Sequence, residues 1–188
     1  MNLLDQLFAY TPVNEQEASD KEEMIRWLGQ GSDLFTRDNR AAHFTASAWV
    51  VSPDRKYVLM AYHNLYNSWA WLGGHADGEQ DLLKVAMKEA TEETGVRNVR
   101  IVTPDILSVE ILTVDGHEKK GSYVSSHLHL NVTYLLEADM EESLEVKPDE
   151  NSAVGWIHVD EINRKSTETW FKERIYSKLI QKVNTMNQ

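Results

Sequence analysis

The stretch GGHADGEQDLLKVAMKEATEETGV, residues 73–96, decides the reading of this chain. It opens with a double glycine and a short polar loop, then takes on helical periodicity. Leu83, Ala86, Met87 and Ala90 recur at spacings of three and four, which gathers them on one helix face. The spacing predicts a helix from Asp81 to Thr94, closed by Gly95. Three carboxylates stand near its end: Glu89, Glu92 and Glu93. At about 3.6 residues per turn they share an arc of roughly 100°, beside the apolar face rather than opposite it. Like charges so close repel one another. Water and salt relieve that repulsion on a solvated face, and such a run alone is usually no more than that. A divalent cation relieves it as well. Mg²⁺ prefers carboxylate oxygens and keeps waters and phosphate oxygens in its remaining positions. An acidic patch can therefore hold a polyanion, because the metal inverts the local sign.

The spacing from Gly74 to Val96 resembles the Nudix box, G-x5-E-x7-R-E-U-x-E-E-x-G-U with U aliphatic. Gly74, Glu89, Ala90, Glu92, Glu93, Gly95 and Val96 fall on its positions. The arginine position is Lys88, the early glutamate is Gln80 beside Glu79, and Leu72 stands where many relatives have proline. Lysine keeps the charge and loses the planar fork of arginine. The resemblance extends over roughly His43 to Ile162, through the WAWL approach to the double glycine and an E-x5-W spacing from Glu150 to Trp156.

This resemblance implies an α/β fold, a Nudix-type α/β/α sandwich with a mixed β-sheet. It also implies metal-dependent hydrolysis of a diphosphate linkage in a nucleoside diphosphate derivative or nucleoside triphosphate, by water attack on phosphorus. The implied cofactor is Mg²⁺, or Mn²⁺. Glu92 and Glu93 would be metal ligands, Glu89 a ligand or the base that deprotonates water, the Gly73 carbonyl a further ligand, and Lys88 the group that orients the glutamates. Glu150 would reach the metal as in several branches, or stand as an exposed loop carboxylate. The alternative function is a nucleotide-sensing module with little turnover, which would not need the glutamates. An isoprenoid diphosphate isomerase shares the fold but needs a cysteine, and this chain has none.

Working outward, Phe44–Val51 and Lys56–Tyr62 read as strands around a Pro53-Asp54 turn. Further strands are expected at Asn98–Val102, Ile106–Thr113, His127–Leu136 and Val154–Val159, and an amphipathic helix over Ser166–Val183. Leu128, Leu130, Val132 and Tyr134 share one face of their strand; His127, His129, Asn131 and Thr133 share the other. That second face either lines a substrate pocket, making His127 and His129 substrate-binding, or packs polar groups beneath a helix. His75 reads as loop structure. Trp69, Trp71, Tyr62 and Tyr66 either stack on a base or serve as core material, with core as the expectation. Residues 1–40 form a helical extension before a domain spanning 41–188. Its second helix is expected to start at the Ser19–Glu22 capping-box pattern, and the stripe Leu3, Leu4, Leu7, Phe8 must pack on its own domain or on a partner, with a homodimer as the expectation.

With 188 residues the chain suits one domain with an extension. Nineteen basic against thirty acidic residues, a formal charge of −11, argue against nucleic-acid binding, which needs many phosphate-neutralising cations. The small-molecule partner is a nucleotide diphosphate. The absence of cysteine, of a signal-peptide pattern and of a long apolar run leads to a cytoplasmic protein away from membranes.

Overall fold

The computed structural model describes residues 2–31, 33–64, 66–119, 121–148 and 151–186. Two helices come first, α1 (Leu3–Ala9) and α2 (Glu15–Gly29). Each is capped by asparagine: the Asn2 side chain accepts from the Asp5 amide and that of Asn14 from the Glu17 amide. The second helix thus starts five residues before the expected Ser19, which lies inside it. The pair that matters is Asn14 and Glu17, at the same spacing as Ser19 and Glu22, with the Glu17 carboxylate accepting from the Val13 amide just outside the helix.

Seven strands form one mixed sheet. They are β1 (Ala42–Val51), β2 (Tyr57–His63), β3 (Ser68–Ala70), β4 (Leu72–His75), β5 (Arg100–Val114), β8 (His127–Glu137) and β9 (Asn151–His158). A separate hairpin, β6 (His117–Lys119) with β7 (Ser122–Val124), lies between β5 and β8 in sequence. The path is β3-β2-β1-β8-β5, with β4 also on β1 and β9 also on β2. β1 runs parallel to β8 over ten residue pairs, and every other pairing is antiparallel. β5 joins the two segments expected as separate strands. Its ladder slips between Ile101 and Ile106, around Pro104, which has no N–H to donate.

Alternation along these strands sends side chains to two cores. On one face Phe44, Ala46, Ala48, Val50, Leu130, Val132 and Tyr134 pack against α3 (Leu82–Thr94) and against Leu3, Leu7 and Met24 of the N-terminal helices. On the other, Trp49, Val51, Met60 and Leu135 pack against Ile175, Tyr176, Leu179 and Val183. The result is helix–sheet–helix. The C-terminal segment is not one regular helix. A short α4 (Ile162–Lys165) is followed by a π-helical stretch, Phe171–Tyr176, that runs into α5 (Ser177–Thr185). The wider turn buries Ile175 and Tyr176 together, and the Trp71 amide donates to the Tyr176 hydroxyl at 3.2 Å. Of the N-terminal stripe, Leu3 and Leu7 are buried within the chain and Phe8 is exposed.

β5 is an edge strand, and α2 covers it. Gln16 donates to the Val109 carbonyl at 3.1 Å, and Asp20 accepts from the Ile111 amide at 2.9 Å. Between α2, β5 and α5 runs a buried charge network. Lys178 lies 2.9 Å from Glu110 and 3.0 Å from Glu17, and Lys182 lies 2.7 Å from Glu17. Among the described residues no helix is long and apolar enough to cross a membrane.

Candidate active site

α3 begins at Asp81, whose side chain accepts from the Lys84 amide, and ends at Gly95 in the left-handed conformation, φ 76°. Leu82, Val85, Ala86 and Ala90 anchor it to the first core, which turns the end of the helix toward β4. Glu93 is only 5 % exposed. Its carboxylate accepts from the Gly73 amide at 2.9 Å and from the Asn151 side-chain amide at 3.3 Å. Among the described residues these two neutral donors orient it. Glu89 reaches over the neighbouring glycine: a Cβ on Gly74 would lie 2.7 Å from Glu89 Oε2. Burial pushes the Glu89 carboxyl above its ordinary range, Lys88 opposes the shift, and Glu92 adds to it. Glu92 is the solvent-facing member. Lys88 Nζ stands between Glu89 Oε1 at 3.4 Å and Glu92 Oε2 at 3.5 Å, and its own pKa is raised by Glu89.

Glu89, Glu93, Gly73 and Gly74 therefore meet at one place, with Glu92 and Lys88 on its rim. Among the described residues Lys88 lies beside Glu89 and Glu92, and Lys147 also acts on Glu89, so the three carboxylates outnumber the ammonium groups around them. Hard oxygens in excess of charge are the donor set that suits Mg²⁺ or Mn²⁺. Glu150 lies outside the described residues. Asn151, the anchor of Glu93, was not foreseen; it sits in a polar loop sequence with no spacing to mark it.

Gly74 admits a clean test. An added methyl would meet only the mobile end of Glu89, so Gly74→Ala is expected to fold and melt close to the parent while displacing that carboxylate. Turnover should fall by about 10–100-fold, the usual cost of disturbing the supports of a metal site. In Gly73→Ala the methyl would meet backbone, Ala46 O at 2.6 Å, and thermal stability itself should drop. Equal activity of Gly74→Ala and the parent would remove Glu89 from the site.

His127 and His129 lie elsewhere. Alternation along β4 sends Gly74 toward α3 and His75 through to the opposite face, where His75 meets His43 and His129 at ring-centroid distances of 5.2 and 4.9 Å. His43 is paired in register with His129, and His127 stacks on His43 at 4.9 Å. Burial, with His75, His43 and His127 adding to it, pushes His129 down to about 2. Further along the same face Asn131 and Thr133 serve the buried network instead: Thr45 and Ser47 donate to Asn131, which donates to Glu110 at 3.2 Å. Polar packing beneath a helix describes the end of this face near α5, and the other end carries the histidine cluster. His75 belongs to that cluster and not merely to the loop.

A family model described as the NUDIX domain matches residues 41–179. The chain belongs to the NUDIX family. It is a hydrolase acting on pyrophosphate bonds. An RNA pyrophosphohydrolase of Pelagibacter ubique (strain HTCC1062) is 28% identical over 138 residues, 71% of this NUDIX chain and 86% of the relative. Among solved structures, a C. elegans Ap4A hydrolase binary complex superposes with a TM-score of 0.55 at 16% identity, covering 77% of this chain and 96% of that one. The E. coli dihydroneopterin triphosphate pyrophosphohydrolase gives 0.53 at 13% identity, covering 73% and 94%. These two likenesses concern the NUDIX fold.

Proposed function

We propose that this NUDIX hydrolase cleaves the diphosphate linkage of a nucleoside diphosphate derivative or nucleoside triphosphate, with Mg²⁺ or Mn²⁺ held by Glu92, Glu93 and the Gly73 carbonyl and with Glu89 as the base. The observation that carries this reading is the convergence of Glu89 and Glu93 on the double glycine, with Glu93 anchored by the Gly73 amide and Asn151. The relative named an RNA pyrophosphohydrolase and the structure named a dihydroneopterin triphosphate pyrophosphohydrolase both carry pyrophosphate hydrolysis in their names, which supports the same reaction class.

A bound divalent cation supplies charge neutralisation on the phosphates and a more acidic water. The protein's own residues supply the rest. Glu93, oriented by the Gly73 amide and the Asn151 side chain, holds its carboxylate in place beside the double glycine. Glu89 is the group to take the proton from the attacking water, because its half-buried position makes the carboxylate more basic than an ordinary one. Lys88 holds Glu89 and Glu92 in register from the solvent side. The enzyme is proposed to act as a homodimer through the face that exposes Phe8; a monomer at every concentration in light scattering overturns that assembly.

The test of the activity is a phosphate-release screen over nucleoside triphosphates, nucleotide sugars and dinucleotides. Release should cease in excess chelator and return with Mg²⁺ or Mn²⁺. Lys88→Ala should lower kcat with little change in melting temperature, since Lys88 is 60% exposed and its loss leaves no cavity. Lys88→Arg should keep or improve kcat. Full activity in chelator, or an Ala variant as fast as the parent, would contradict the assignment.

A further inference from the structure

The histidine cluster lies across the sheet from the glutamates and takes no part in the proposed chemistry. Ligand atoms of His43, His75 and His129 all lie within 4.8 Å of one another. His127 Nε2 stands 3.2 Å from His129 Nε2, adding a fourth imidazole at the rim. Two of the rings have their tautomer set from behind. His43 Nδ1 lies 3.1 Å from the Asn39 carbonyl and His127 Nδ1 lies 2.8 Å from the Ser125 carbonyl. A carbonyl only accepts, so in both neutral rings the proton sits on Nδ1 and the lone pair on Nε2. Metal-ligating histidines are commonly fixed in this manner, by a backbone carbonyl on the far nitrogen. His43 is 4% exposed, and its Nε2 has no hydrogen-bond partner among the described residues. A buried lone pair without a donor is costly unless something electropositive meets it.

We propose that His43, His75 and His129, with His127 as a fourth ligand, bind one borderline first-row divalent cation such as Zn²⁺, at a site separate from the carboxylate site. Imidazole nitrogens select Zn²⁺, Ni²⁺, Co²⁺ or Cu²⁺ over Mg²⁺, whereas the glutamates select the hard ions. Zn–N bonds of about 2.0–2.1 Å in a tetrahedron place nitrogens roughly 3.4 Å apart. The His127–His129 separation of 3.2 Å is already of that size, and side-chain rotations of His43 and His75 from within 4.8 Å would bring the remaining two atoms to it. The residues come from three strands: β1 gives His43, β4 gives His75, and β8 gives His127 and His129. A cation there ties the double-glycine strand to β1 and β8 from behind, so it acts on the shape of the strand that carries Gly73 and Gly74.

The experiment uses the full chain, stripped with chelator, equilibrated with Zn²⁺ in a large excess of Mg²⁺, desalted and assayed for metal by mass spectrometry. About one Zn²⁺ per chain should remain, and the melting temperature should rise with Zn²⁺. Co²⁺ loaded in its place should give the strong visible absorption of a tetrahedral nitrogen site, quenched by added Zn²⁺. His129→Gln and the half-buried His75→Gln should each weaken Zn²⁺ binding by about tenfold or more. Glu92→Gln, which touches only the carboxylate site, should retain it. Absence of retained Zn²⁺, or retention lost in Glu92→Gln and kept in His75→Gln, would overturn the proposal. Should His129→Gln fail to fold, His75→Gln and the Co²⁺ spectrum of the parent still decide it.

Discussion

Glu93→Gln is expected to cut turnover at least about a hundredfold and to change metal-free stability by less than about 1 kcal/mol. The two halves of this expectation have different physical sources. Glutamine is a weak ligand for a hard cation, so the gain in melting temperature on adding Mg²⁺ should shrink with activity. In the absence of metal, the glutamine oxygen can still accept from the Gly73 amide. Its new amide can meet Asn151 Oδ1, a buried oxygen that has no hydrogen-bond partner among the described residues. The substitution also removes one negative charge from the helix C-terminal end, where the dipole is negative too. Glu93→Ala has none of these compensations. It leaves the Gly73 amide and Asn151 without their acceptor and should cost about 1–3 kcal/mol. Paired thermal melts with and without Mg²⁺, beside an activity assay, read both effects. A Gln variant as active as the parent would remove Glu93 from the metal site; one as unstable as Ala would make its role structural.

Lys178→Met should destabilise the fold by about 3–5 kcal/mol, the cost of stranding buried charge. Lys178 is 7% exposed and lies between Glu110 and Glu17; its loss leaves the buried Glu110 without its paired ammonium, while Glu17 keeps Lys182. Urea unfolding of the parent and the variant measures the loss; a difference below about 1 kcal/mol would mean the carboxylates are otherwise satisfied. Acid should attack the same network. Burial raises the Glu17 carboxyl, but Lys182, Tyr10 and the Val13 amide outweigh it and hold it down from 4.5 to about 2. A depressed carboxyl contributes stability that is complete above its unfolded value and is lost as pH falls toward the folded one. The window is therefore from about 4.5 down to about 2. Lys182 is itself shifted downward by burial, which is a cost of the same pairing, so the net gain is smaller than Glu17 alone implies. The loss on acidification should be blunted in Glu17→Gln.

The sequence was most legible where local spacing carries the chemistry. Helix α3, its Gly95 stop and the clustering of Glu89, Glu92 and Glu93 all follow from a period of 3.6 residues, and the structure has them. The alternation of β8 was legible in the same way, down to which face carries Leu130 and which His129. What could not be read is what depends on strands remote in sequence. His43 and His129 face each other only because β1 and β8 pair in parallel, in a register that neither strand's pattern announces. Asn151 holds Glu93 from 58 residues away. The start of α2 failed for another reason: two cap-like patterns five residues apart compete, and the tertiary bonds of Glu17 favour the earlier one. The π-helical turn before α5 escaped because a regular helix and a helix with one inserted residue differ little in apolar spacing over a short run.

The charge network also has a bearing on the order in which the chain acquires its shape during synthesis. Glu17 and Lys182 are 165 residues apart, and Lys182 lies in the final helix. As the chain leaves the ribosome, α2 appears early, with a carboxylate whose native partners do not yet exist. α2 can form locally from its own cap, but docking it on β5 before α5 arrives would bury a charge without its counterion. The cover on the β5 edge therefore closes only after Lys182 has emerged, and until then that edge is open to pairing with other nascent chains. A ribosome-tethered series of lengthening chains should show protease protection of α2 only once residues through Lys182 are clear of the exit tunnel.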